Sequence, residues 1–258
     1  MKGKTALVTG GAGGIGKACA CRLSAEGMAV AVADIDGDRA EATAREIING
    51  GGRAIAVEMD VTDEAAVNAG VAQCVRALGG LDVLLSNAGM QIVHSFEEYP
   101  FTDWQRMMRI HADGAFLSSR AAYIHMKREG GGGQIIFMGS AHAHEASPLK
   151  AAYCFAKHGL LGLCRVIAKE GAPYGIHAYT VCPGFVRTAL TEKQIPEQAR
   201  DLGITEEEVV RNVMLKNTVD GKFTTLEEVA GTVAFAAKDR EGALTGQSFI
   251  VSHGWCMK

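Results

Sequence analysis

TALVTGGAGGIG, residues 5–16, carries three structural signals in immediate succession. Thr5–Thr9 is a short run of β-branched and apolar residues, of strand length. It ends in a turn made almost wholly of glycine. Beyond the turn, Ile15, Ala18, Cys19 and Leu23 recur at helical spacing. A strand that enters a glycine-rich turn and leaves it as a helix is the first half of a βαβ unit. Small residues let the backbone approach a phosphate closely, and the helix start offers free N–H groups and a positive dipole end.

The same alternation continues to the end of the chain. Strands are expected at 29–34, 53–60, 81–87, 134–140, 176–184 and about 247–251. Helices are expected at 37–49, 63–78, about 102–127, 151–172 and about 225–238. Continuous apolar strands separated by helices imply an α/β fold. Its sheet is parallel, doubly wound and of about seven strands, in a Rossmann arrangement. No linker or repeat divides the chain, so residues 1–258 read as one domain. The polar, helical stretch at about 188–220 is too long for a plain connection and reads as a small lid.

Composition narrows the partners. The chain has 258 residues, 48% of them apolar, and a net charge of -3. Its lysines and arginines form no stripe that would suit nucleic acid. No apolar run approaches bilayer length. A strand pattern begins almost at once, leaving no room for a signal peptide. The seven cysteines include a C-x-C at Cys19–Cys21 but no second cluster at metal spacing, so no metal is expected. Reduced thiols and a cytoplasmic location follow.

Asp34 closes the second strand, where an acid can hydrogen-bond both ribose hydroxyls of NAD and repel the extra phosphate of NADP. Arg39, further on, leaves NADP open as an alternative. Downstream, GSAHAHEASPLKAAYCFAKHG at 139–159 crowds serines, histidines, lysines and a tyrosine together. Ser140 ends the fifth strand, and Tyr153 and Lys157 share a helix face at i and i+4.

Taken with these residues, the chain resembles the short-chain dehydrogenase/reductase family over essentially its whole length. The motifs are T-G-x-x-x-G-x-G (Thr9, Gly10, Gly14, Gly16), N-A-G (Asn87, Ala88, Gly89), Ser140, Y-x-x-x-K (Tyr153, Lys157) and P-G (Pro183, Gly184). The resemblance implies hydride transfer with Ser140, Tyr153 and Lys157 as catalytic residues. It also implies an NAD site along Thr9, Gly10, Gly14, Ile15, Gly16, Asp34, Asp60, Val61, Asn87, Ala88, Gly89, Tyr153, Lys157, Pro183, Gly184, Val186 and Thr188. A homotetramer built on the helices at 102–127 and 151–172 is implied as well. One position departs from the family: in RIHADGAF, 109–116, His111 stands where an asparagine is usual. A histidine there can relay protons, fill space, or mark a catalytically impaired dinucleotide-binding regulator.

Gln91, His142, Lys150 and Gln194 resemble the set that binds the substrate carboxylate in the D-3-hydroxybutyrate dehydrogenases of this family. Ser140 and Tyr153 then hold the substrate's alcohol end, and Phe185 replaces a usual tryptophan on the pocket wall. A small hydroxy or keto acid offers little area, so several donors must fix it. Another small hydroxy acid or a secondary alcohol remains an alternative. Arg187 and the tail SHG (Ser252–Gly254), in place of D-G-G, are further departures.

Overall fold

The computed structural model describes the backbone of residues 1–258 and every side chain except that of Leu190. Seven strands form one sheet: β1 (Thr5–Thr9), β2 (Ala29–Asp34), β3 (Arg53–Glu58), β4 (Val83–Ser86), β5 (Gly133–Met138), β6 (Ile176–Pro183) and β7 (Ser248–Val251). Their order is β3-β2-β1-β4-β5-β6-β7, and every pairing is parallel. The order reverses between β1 and β4, the switch point where an open sheet leaves a crevice at its carboxyl edge.

Alternation along each strand explains why both faces are covered. In β1, Ala6 and Val8 enter one core and Leu7 the other; in β2, Val30 and Val32 divide from Ala31 and Ala33 in the same way. A strand buried on both faces must be apolar throughout. One face packs against α1 (Gly14–Ala25), α2 (Gly37–Asn49) and α9 (Leu226–Ala237). The other packs against α3 (Glu64–Leu78), α5 (Gly114–Glu129) and α6 (Ala151–Gly171). Local chemistry sets the helix ends. Asp63 caps α3 by accepting from the N–H groups of Ala65 and Ala66, and a left-handed Gly79 stops it.

Three differences from the sequence reading matter at the crevice. β3, β4 and β5 stop one or two residues early, at Glu58, Ser86 and Met138. Their last expected residues turn out of the sheet to line the opening. The expected helix at 102–127 is α4 (Phe101–Met108), a π turn (Arg109–Asp113) and α5. A π turn widens the helix by one residue, and His111 sits inside it. The 188–220 stretch contains α7 (Ala189–Leu202), α8 (Glu206–Glu208) and a second π turn (Val209–Met214). Ile195, Ala199, Val209 and Met214 give it a small apolar core of its own, against which Phe185 and Phe223 pack.

Candidate active site

A cleft of about 1410 Å³ runs along the carboxyl edge of the sheet. It brings together every candidate residue named from the sequence except Thr9. Thr9 acts from beneath. Its hydroxyl accepts from the N–H groups of Asn87 at 2.9 Å and Ala88 at 3.0 Å. The Asn87 amide in turn donates to the carbonyls of Thr9 at 2.9 Å and Gly10 at 3.2 Å. The N-A-G segment is thus a brace for the glycine turn.

At Gly10 and Gly16 that turn has no space for a side chain. Gly10 is left-handed, with φ 63°, and a Cβ on Gly16 would lie 2.0 Å from the Gly10 carbonyl oxygen. The backbone therefore forms a smooth concave surface that leads into the N-terminus of α1. Asp34 holds the rim by accepting from the Ala12 N–H at 3.1 Å. The Arg39 guanidinium lies on the same rim, 2.7 Å from where a Cβ on Gly13 would sit. A cradle too tight for a methyl group, a helix N-terminus and a rim carboxylate fit the pyrophosphate and ribose of a dinucleotide.

Midway along the cleft, α6 supplies Tyr153 and Lys157. Lys157 is buried and donates to the Met138 carbonyl at 2.6 Å. Burial holds its ammonium down to about 8. Burial also pushes the Tyr153 phenol up to about 12, against a smaller downward pull from the Ser140 hydroxyl. Without a ligand the phenol therefore holds its proton near neutral pH. Ser140 accepts from the His142 N–H at 3.1 Å, which fixes its side chain at the end of β5.

His111 stands edge-on to Tyr153, with ring centroids 5.5 Å apart. Its Nε2 meets the Met90 carbonyl at 2.7 Å and the Met90 N–H at 3.2 Å. Its Nδ1 is buried without a partner. Burial, then the nearby Lys157 charge, depresses it to about 3. The ring is therefore neutral near pH 7 and does not titrate there as a free histidine does. Gly89 permits this packing, since a Cβ there would lie 2.6 Å from His111 Cε1.

The far end of the cleft is built from side chains. Lys150 is buried at the start of α6, and its Nζ donates to His142 Nε2 at 3.1 Å. Burial depresses Lys150 to about 8 and His142 to about 3. The buried Lys150 ammonium faces no carboxylate within ion-pair distance among the described residues. Gln194 from α7 donates to Gln91 Oε1 at 3.1 Å, leaving Gln91 Nε2 buried and unpaired. A left-handed Leu149, φ 66°, precedes Lys150, and its carbonyl accepts from the His94 N–H at 3.1 Å. That bond ties the loop of Gln91 to the loop of Lys150.

The sequence reading missed one wall. Trp255 lies 5.9 Å from Phe185 and 5.1 Å from His142, ring to ring. It restores aromatic bulk beside the smaller Phe185. Its only sequence signal is a large aromatic directly after a glycine turn in the tail. Arg187 points elsewhere and pairs with Glu192. All seven cysteines are free, and among the described residues no cluster could hold a metal ion. No helix is long and apolar enough to cross a membrane.

Comparison with known proteins agrees with this fold. Residues 4–199 match the family model described as short chain dehydrogenase. A D-beta-hydroxybutyrate dehydrogenase of Rhizobium meliloti is 37% identical over 98% of both chains. Another of that name, from Cupriavidus necator, is 34% identical over 99% of this chain and 98% of its own. A short-chain type dehydrogenase/reductase of Mycobacterium marinum superposes with a TM-score of 0.90 at 29% identity, over 100% of this chain and 97% of that one. The chain belongs to the short-chain dehydrogenase family.

Proposed function

We propose that this protein is an NAD-dependent dehydrogenase that interconverts (R)-3-hydroxybutyrate and acetoacetate. One observation carries the reading: a buried ammonium without a carboxylate partner, Lys150, stands beside His142, Gln91 and Gln194 in the cleft that holds Tyr153. Burying a charge without a counter-charge is costly, and a substrate carboxylate supplies one. The unpaired Gln91 amide gives that carboxylate a second donor. Two relatives named for this reaction support the choice.

The chemistry follows from the positions. Lys150 and Gln91 fix the carboxylate, which leaves the hydroxyl at Ser140 and Tyr153. Ser140 donates to the reacting oxygen and orients it. The Tyr153 phenolate takes the hydroxyl proton on oxidation, and the phenol returns it on reduction. Lys157 supplies the positive field that favours the phenolate. A bound nicotinamide supplies the hydride acceptor and, when oxidised, a second positive charge near the phenol. His111 holds the Met90 backbone and, through Gly89, the loop that carries Gln91. Asp34 selects NAD by repelling a ribose phosphate.

The chain acts as one domain, with α7 and the π turn after it as a lid over the substrate end. It works in the cytoplasm as a homotetramer, and the exposed Phe101, Phe116, Ile124 and Phe155 on α4, α5 and α6 supply the contact faces. Reduced-cofactor absorbance with 3-hydroxy acids and neutral secondary alcohols, each with NAD and NADP, tests the reading. The expected result is highest kcat/KM for (R)-3-hydroxybutyrate with NAD. A preference for neutral alcohols overturns the carboxylate site, and a preference for NADP overturns the role of Asp34.

A further inference from the structure

After β7 the chain turns through Ser252, His253, Gly254 and Trp255. Two consecutive residues are left-handed, His253 at φ 50° and Gly254 at φ 74°. Glycine takes that conformation freely. A histidine there is held by its surroundings. Its imidazole Nδ1 lies 2.9 Å from Asp220 Oδ2, and Nε2 lies 3.2 Å from Glu228 Oε2. A neutral imidazole has a single N–H, so only the imidazolium donates to both carboxylates.

The two carboxylates come from different elements. Asp220 follows the second π turn, at the far end of the lid segment, and Glu228 lies in the first turn of α9, where it forms a capping box with Thr225. They are the charged groups that face His253, and Lys222 reaches Asp220 from 4.0 Å. The backbone reinforces the junction, since the Val219 N–H donates to the His253 carbonyl at 2.8 Å. Close by, the Gly184 N–H and the Thr224 hydroxyl both donate to the Val251 carbonyl, at 2.9 and 3.0 Å. The Thr224 N–H donates to the Phe185 carbonyl at 2.9 Å.

We propose that His253 is a positioning residue whose imidazolium clasps the C-terminal turn to the lid's far end and to α9, thereby holding Trp255 against His142 and Phe185 in the substrate wall. What this says of the substrate rests on the function proposed above. Asp220 and then Glu228 raise the affinity of His253 for its proton above the ordinary histidine value of 6.5. The clasp is therefore complete below that value and is lost as pH rises through the raised one.

Two substitutions separate the clasp from the backbone. His253→Gly suits a left-handed turn and removes only the imidazole, and Asp220→Asn removes one carboxylate and leaves the turn untouched. The chain has two tryptophans, so Trp104→Phe leaves Trp255 as the sole reporter. Without substrate, Trp255 emission should shift between about pH 6 and about pH 9 in that background. His253→Gly should leave only the part that Lys150, ammonium below about 8, contributes through His142, and Asp220→Asn should lower the midpoint of the rest. In the full-length enzyme at about pH 6, His253→Gly should raise KM for the acid about three- to five-fold, a size that a partly exposed ion pair supports. The change should fall on KM for the acid rather than on kcat or KM for the cofactor, and it should vanish at about pH 9. A glycine variant with the wild-type emission transition and wild-type KM overturns the clasp. Failure of the carboxylate reading appears separately, in the substrate panel, and leaves the emission experiment valid.

Discussion

The two ends of the cleft are made of different material. The nucleotide end is backbone: a glycine turn braced by Thr9 and Asn87, with no space for a methyl group on Gly16. The substrate end is side chain: Gln91, His142, Lys150, Phe185, Gln194 and Trp255 arrive from five separate segments. The first end is fitted so closely that substitution strains it. The second holds a buried charge and an unpaired amide, so it is least comfortable when empty. An enzyme of this family can thus keep one end constant while the other changes with the substrate.

Tyr153 joins the two ends, and its loss should have the largest effect. Tyr153→Phe should lower kcat/KM by about 10³-fold or more while NADH binding, followed by fluorescence, stays near the wild-type value. Gly16→Ala should strike the nucleotide end alone. It should cost about 1–3 kcal/mol of stability and weaken NADH binding together, read by thermal unfolding and by titration. Lys150→Met should have the opposite sign in stability. It should raise Tm by about 2–4 °C, since a buried charge gives way to a packed thioether chain. It should also raise KM for the acid by about 10- to 100-fold. Equal destabilisation by both variants would erase the distinction between the ends.

The pH profile gives a finer test. On the function proposed above, Lys150 holds the carboxylate as ammonium, the form present below about 8 and lost above it. Above that pH, the fall in log kcat/KM for the acid should be steeper than for a neutral alcohol by about one unit per pH unit. The smallest effect concerns His111. The single His111 Nε2 can serve the Met90 carbonyl or the Met90 N–H but not both at once, whereas an asparagine side chain can donate to one and accept from the other, so His111→Asn should keep kcat within about threefold. A hundredfold loss would mean that the neutral imidazole passes protons in a way an amide cannot.

The element order was legible because strands buried on both faces leave unbroken apolar runs, as in Ala29–Asp34. The carboxyl ends of β3, β4 and β5 were not. Met59, Asn87 and Gly139 sit at the ends of runs that read as strands, yet the chain must leave the sheet there to open the cleft. The π turn was hidden for a similar reason, because one extra residue barely disturbs helical periodicity around His111. Spacing motifs located Ser140, Tyr153 and Lys157 because a single helix and one strand end carry them. Trp255 escaped because its position depends on a turn closed by Asp220 and Glu228, far off in sequence.

The segment from Ser140 to Tyr153 has one more consequence. On the function proposed above, it carries the residues for the alcohol at its two ends and those for the acid, His142 and Lys150, between them. One short stretch of chain, stitched to the Gln91 loop through Leu149, thereby fixes the span from carboxylate to hydroxyl. It works as a ruler. On that same proposed function, the carbon count between the two groups is set by the length of a loop.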